Sequence, residues 1–570
     1  MYRLFLKYSL NFDQFVKNQD SILQIYGHLF KEVLRIDYLA KERQNTGFMS
    51  QNEKFISTLQ SGYTFTGDSI LLGAAKLHDS VVPGTQIRVP LKTMNRHGLI
   101  AGATGTGKTK TLQVLAESLS DASVPVLLMD IKGDLSGIAQ PGAAKPFIIE
   151  RTGAAGIPFE PTGYPVELLT LSQEKGTRLR ATVSEFGPIL LAKILGLNDT
   201  QEGIVSVVFK FCDDTQLPLV DLKDFIRVLQ FVTAEGKEEF EKSYGKVSTT
   251  STGTILRKVI ELQHQGGDLF FGETSFDVDD LMRLSQDGRG MISILRVIDL
   301  MDRPKLFSTF MLSLLAELYA SLPEAGDEDR PKLVIFIDEA HLVFQEASKA
   351  LLQQIETIIK LIRSKGVGIY FCTQNPQDVP APILSQLGLK IQHALRAFTA
   401  NDRKTIKEAA ANYPETDFYK TDAVLTSMGI GEALVTCLNE KGIPTPLALA
   451  YLCPPRSRMD ILSETEIEAL VNQSKIAKRY NAPVDPESAY EILNAKLALA
   501  AEAESQASTA NTTQAKGRAV EEKSTLETIL SSSVTRQIGR TAAQIITRSL
   551  LGALGVSSTT SRKKKASSWF

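Results

Sequence analysis

The octapeptide Gly102-Ala103-Thr104-Gly105-Thr106-Gly107-Lys108-Thr109 constrains this chain more than any other feature. It fits G-x-x-x-x-G-K-[ST], follows the short apolar run HGLIAG, and opens KTKTLQVLAESL, whose apolar spacing is helical. Strand, glycine loop and helix are the context this motif needs. Glycines let the main chain wrap closely around phosphates with its N–H groups turned inward, and the helix N-terminus adds partial positive charge at the same point. In this reading Lys108 reaches the β- and γ-phosphates of a nucleoside triphosphate, ATP, and the Thr109 hydroxyl ligates Mg²⁺. A glycine- and threonine-rich surface turn is the plainer alternative, and the full match with both flanks outweighs it. VPVLLMDI beyond the helix reads as a buried strand, completing a β-α-β unit.

A second string supplies the chemistry the loop lacks. KLVIFIDEAH ends an aliphatic run on Asp338 and Glu339. In a parallel sheet this strand is expected beside the phosphate-loop strand, its carboxyl end facing the nucleotide. Asp338 then holds the Mg²⁺ water shell and Glu339 polarises the attacking water. Acidic residues also suit a helix N-terminus, so the string gains its meaning from the phosphate loop upstream.

At 570 residues the chain exceeds what one growing core accommodates, so two or more domains are expected. Residues 1–48 read either as a small helical element or as sequence ahead of a start at Met49. A short β-rich lead-in (YTFTG, SILLG, QIRVPL) occupies 49–96. An α/β core spans 97–455, with further strands in GRGMISILRVIDL, KLVIFID and GVGIYFCTQ, and a helical insertion over about 150–290. A helical segment (456–505), a polar linker (506–522) and an amphipathic helix with a basic end (523–570) follow. Cys212, Cys372, Cys437 and Cys453 form no C-x-x-C, which points to reduced thiols and a cytoplasmic protein. No apolar run is long enough to span a membrane. With a net charge of -2 there is no global basic field to advertise nucleic acid, and the basic patches at Arg178–Arg180, Arg257-Lys258 and Arg562–Lys565 are modest.

GATGTGKT, VLLMDIKGDLSGIA, IFIDEAH, LIRSKGVGIYFCTQNPQDVP and TVSEFGPILLAKILGLNDTQ together resemble the HerA/FtsK superfamily, most of all its bacterial YjgR-like, HerA-like helicase branch, over residues 60–455. The resemblance implies a RecA-like core and a homo-oligomeric, hexameric ring with nucleotide between subunits. It implies a DNA translocase or helicase; the alternative is an assembly or regulatory ATPase that engages a protein partner through the C-terminal tail. Carried over by motif, Gln374 senses the γ-phosphate, a buried amide there being able to hydrogen-bond both that phosphate and the lytic water, Arg363 and Arg396 act on the phosphates, one of them from a neighbouring subunit, and Asp130, Lys132 and Asp134 couple hydrolysis to motion. A strand-end cap for Gln374, surface ion pairs for the arginines and ordinary turn roles for the two aspartates are the competing readings. One departure concerns the N-terminal side: HerA proper carries a β-barrel there, and the roughly fifty residues between Met49 and Gly102 are too few for one. His97 and His341 have no partner at metal-ligand spacing, so structural or coupling roles are expected.

Overall fold

A computed structural model describes residues 51–510, apart from 299–302, 327, 346–348 and 483. The expectations for 1–48, for the linker beyond 510 and for the basic tail lie outside the described residues. The chain divides at Gly62 into two units, and the described part of the first, residues 51–62, is helical.

The second unit is built on one twelve-stranded sheet. Its strands are β1 (Ser69–Leu77), β2 (Ser80–Pro90), β3 (Gly98–Ala101), β4 (Val126–Asp130), β5 (Val166–Thr170), β6 (Thr177–Arg178), β7 (Ile292–Arg296), β8 (Leu333–Ile337), β9 (Val367–Thr373), β10 (Leu389–His393), β11 (Glu432–Thr436) and β12 (Ala448–Leu452). They lie in the order β2-β1-β12-β11-β10-β3-β9-β8-β4-β7-β5-β6. From β10 to β6 every pairing is parallel. From β10 to β2 every pairing is antiparallel. VLLMD, LVIFI and VGIYFCT (β4, β8 and β9) are buried at every position, the pattern of strands covered on both faces. Helices Lys108–Asp121, Pro304–Ser321 and Lys349–Ile362 supply cover, the buried side chains of the latter two joining one apolar core. This is the RecA-like α/β architecture anticipated from the motifs.

Four expectations change. The DEAH strand does not adjoin the phosphate-loop strand: β9 lies between them, pairing Ala101 with Thr373 on one side and Ile337 with Phe371 on the other. The 150–290 segment is not wholly helical, because VELLT and Thr177-Arg178 enter the sheet as β5 and β6. A five-residue apolar run is too short for periodicity to separate strand from helix. The insertion proper begins with Val183–Ile194 and continues through Asp199–Thr215, Leu222–Thr233, Lys237–Tyr244 and Thr249–His264. Thr182, Asn198 and Asp221 start the first three of these through reciprocal capping bonds.

The lead-in is likewise no separate module. YTFTG is the end of a helix and a loop, whereas β1 pairs with β12 through Gly73, Ala74 and Ala75. A Cβ on Gly73 would stand 2.1 Å from the Tyr451 carbonyl oxygen, so the close approach requires glycine there. Finally, the C-terminal helices belong to the core rather than to a detached segment. Tyr480, Ala489 and Leu493 are buried in it, and helix Ala489–Ala510 runs into what reads as linker.

Candidate nucleotide site

The phosphate loop leaves the carboxyl end of β3 and enters helix Lys108–Asp121. Gly107 is the N-cap in a left-handed conformation (φ 109°) and offers no side-chain cap. The first-turn N–H groups are therefore left for an external acceptor. Lys108 is buried, its Nζ donating to Gly102 O at 2.7 Å and Ala103 O at 3.3 Å. Burial lowers its pKa, against the pull of Cys372, Glu339 and Asp338.

The loop hangs from three neighbouring segments. Gly102 N donates to Thr373 O (3.2 Å) at the end of β9, Ala103 N to Ala394 O (2.9 Å) after β10, and Thr106 O accepts from Gly431 N (3.0 Å) before β11. Beneath it lies His393, fully buried, with Nδ1 3.1 Å from Thr106 O and Nε2 3.0 Å from the Thr111 hydroxyl. A carbonyl only accepts, so Nδ1 carries the proton and Nε2 accepts from Thr111. Burial, assisted by Lys108, pushes the His393 pKa down to about 3, which keeps this brace neutral. Arg151 completes the support: it donates to Gly431 O and to Leu452 O (2.8 Å) and lies 3.8 Å over the Tyr451 ring. Neither His393 nor Arg151 carries a sequence signal, since each meets its partners across some 280 residues.

A Cβ on Gly102 would lie 2.5 Å from the His393 Cβ and 3.1 Å from its main-chain carbons, at φ 150°. Gly102→Ala is therefore expected to weaken nucleotide binding by more than about tenfold and lower the thermal midpoint, the strain being about 1–3 kcal/mol. The control is Gly203→Ala in helix Asp199–Thr215, where an added Cβ meets nothing within 4 Å. Calorimetric titration of nucleotide and thermal unfolding of both variants check this.

Opposite the loop, β8 delivers Asp338 and Glu339, both buried. Asp338 Oδ2 has no hydrogen-bond partner. Burial raises its pKa, Lys132 pulling the other way and Glu339 reinforcing the rise. Glu339 is left-handed (φ 45°), with Lys132 Nζ ion-paired to Oε1 and His341 Nδ1 3.3 Å from Oε2. Burial opposes its ionisation, but Lys132, with His341 and Lys108, outweighs burial and holds the carboxyl below its usual range. Asp130 accepts from Gly133 N (2.7 Å), Asp134 N (3.2 Å) and Leu135 N (3.1 Å) and shapes the turn that carries Lys132. Burial lifts the Asp130 pKa to about 6. Asp134 Oδ1 is buried with no hydrogen-bond partner.

Gln374 follows β9 immediately, so it stands between the phosphate loop and Asp338. It is exposed rather than buried as expected. The strand-end cap is made by Asp378 instead, whose Oδ2 accepts from Thr373 Oγ1 (2.5 Å) and Asn375 N (3.1 Å), leaving the Gln374 amide outward. Arg396 is exposed in the loop after β10, at the same sheet end as the phosphate loop. Arg363 is exposed too, but it precedes β9 and is separated from the phosphate loop by the length of that strand, roughly 20 Å. It lies near His97, which spans two segments by accepting from Ile369 N (3.0 Å) and contacting Ile359 O (2.8 Å). Burial drops the His97 pKa to about 4, a structural histidine.

Among the described residues no group of three or more His, Cys, Asp or Glu could hold a metal by itself. The orphaned Asp338 oxygen beside the phosphate loop and the half-buried Thr109 fit a magnesium ion whose remaining ligands are water or, with nucleotide, phosphate oxygens.

Residues 76–559 match the family described as Helicase HerA-like C-terminal. The chain belongs to that family. Curated relatives match the chain at low identity. The DNA double-strand break repair helicase HerA of Sulfurisphaera tokodaii is 22% identical over 380 residues, 64% of this chain and 66% of that protein. The DNA import protein CedB of Sulfolobus acidocaldarius is 23% identical over 364 residues, 63% of this chain and 52% of that protein. The chain thus spans just under two thirds of the HerA relative and about half of CedB. Among solved structures, the bacterial conjugative coupling protein TrwB aligns with TM-score 0.45 and 15% identity, covering 70% of this chain and 97% of that one. This HerA-like chain thus carries its phosphate loop within the matched region, and no described helix is long and apolar enough to cross a membrane.

Proposed function

We propose that this chain hydrolyses ATP and uses it, as a ring of identical subunits, to move along DNA. The observation that carries the hydrolytic part is the meeting of Lys108, Thr109, Asp338 and Glu339 at the carboxyl ends of β3 and β8, with Gln374 just past the end of the intervening β9. The main-chain amides of 102–109 and the Lys108 ammonium grip the β- and γ-phosphates. Thr109 and Asp338 would hold Mg²⁺, which when bound would neutralise charge developing on the transferred phosphoryl group. Glu339 takes the proton of the attacking water, and the outward Gln374 amide orients that water against the γ-phosphate.

The ring rests on the arginines. Arg363 is too far from its own subunit's loop to touch phosphate, so its role at a nucleotide is across an interface; Arg396, exposed at the loop end, acts on the phosphates from the same or the adjoining subunit. DNA as the track rests on family membership and on the relatives, which are named for DNA repair and DNA import. The test is the ATPase rate with and without duplex and single-stranded DNA at about 50 and 200 mM salt. Stimulation of several-fold that is largely lost at the higher salt is expected. A rate unmoved by any DNA at low salt points instead to a protein substrate.

A further inference from the structure

Resting on that reading of the site, we propose that Lys132 is a built-in counter-cation that locks Glu339 until a divalent metal arrives. Lys132 Nζ is ion-paired to Glu339 Oε1 and His341 Nδ1 lies 3.3 Å from Oε2, so the proposed base is held by charge alone, since neither of its oxygens has a hydrogen-bond partner among the described residues. Asp338 and Glu339 are consecutive, and the Glu339 side chain is only 5% exposed. Two buried carboxylates at such a distance require a compensating positive charge, and Lys132 provides it from a side chain that is 42% exposed and able to leave. The turn that carries it is pinned at its base by the three bonds to Asp130 and contains Gly133 at φ 76°. Lys108 is parked in a comparable way, on the carbonyls of Gly102 and Ala103.

With a divalent cation held at Asp338, Lys132 would no longer be needed for that compensation and would swing outward, leaving Glu339 released. The lysine is thus a positioning residue. It ties the availability of the base to metal and nucleotide.

Binding of Mn²⁺ alone, without nucleotide, tests the lock directly by electron paramagnetic resonance of the free ion. Lys132→Met is expected to bind Mn²⁺ about tenfold tighter than the parent, because an occupying charge is gone. Lys132→Arg should match the parent, and adding Asp338→Asn to Lys132→Met should erase the gain. In the absence of DNA, turnover of Lys132→Met should rise a few-fold. Mn²⁺ affinity in Lys132→Met equal to or weaker than the parent's overturns the proposal, as does a fall in turnover to the level of a Glu339→Gln variant. The metal titration needs no nucleotide, so its outcome is separate from that of the nucleotide reading, which fails if Lys108→Ala still binds ATP.

Discussion

Lys108→Ala is expected to leave the protein folded and nearly unable to hold ATP. The ammonium already sits inside the loop, 2.7 Å from Gly102 O, at the place proposed for the phosphates. Its removal deletes charge-assisted hydrogen bonds to phosphate worth about 1.5–3 kcal/mol each. Two such bonds amount to an affinity loss of about two orders of magnitude or more. Stability should change little, because burial of the ammonium already disfavours its charged form and alanine is a better helix former at this first helical position. Nucleotide titration by calorimetry, with thermal unfolding of the same sample, reads both parts. Retained affinity would mean that ATP binds elsewhere.

Glu339→Gln should separate binding from chemistry. The amide keeps the size and the backbone preference of the glutamate but cannot take a proton from water. A positioned general base contributes about 10²–10⁴ in rate, and single-turnover hydrolysis should fall by that factor. ATP affinity should stay near the parent's, since Lys108, Thr109 and Asp338 are untouched. The substitution also removes the partner of Lys132 and His341, so a modest tightening or loosening of nucleotide is compatible with it. Hydrolysis within threefold of the parent's would remove Glu339 from the proposed mechanism.

The same contrast between local and distant chemistry decides what was legible beforehand. The phosphate loop could be recognised because its donors come from eight consecutive residues whose flanks already spell strand and helix. Asp338 and Glu339 were legible as the polar end of an apolar run. Gln374 and Arg396 lie at the phosphate-loop end of the sheet, yet Gln374 is exposed because the strand-end cap is Asp378, a contact no spacing rule announces. Arg363 was grouped with the phosphates although it precedes β9, and only the direction of that strand shows which end it occupies. His393 and Arg151 were missed altogether, each being an ordinary residue in its own stretch of chain.

By itself, then, the amino-acid order determined the strand–loop–helix that cradles phosphate, the acidic strand end and the α/β class. Those depend on main-chain geometry and hydrophobic runs set by near neighbours. The tertiary structure alone decided that β9 separates β3 from β8, that the lead-in hairpin joins the sheet through β12, that His393 and Arg151 brace the loop, and that Lys132 neutralises Glu339. Such pairings come from the order in which distant strands assemble and from the need of buried charges and polar groups for partners. Neither is written in the residues adjacent to them.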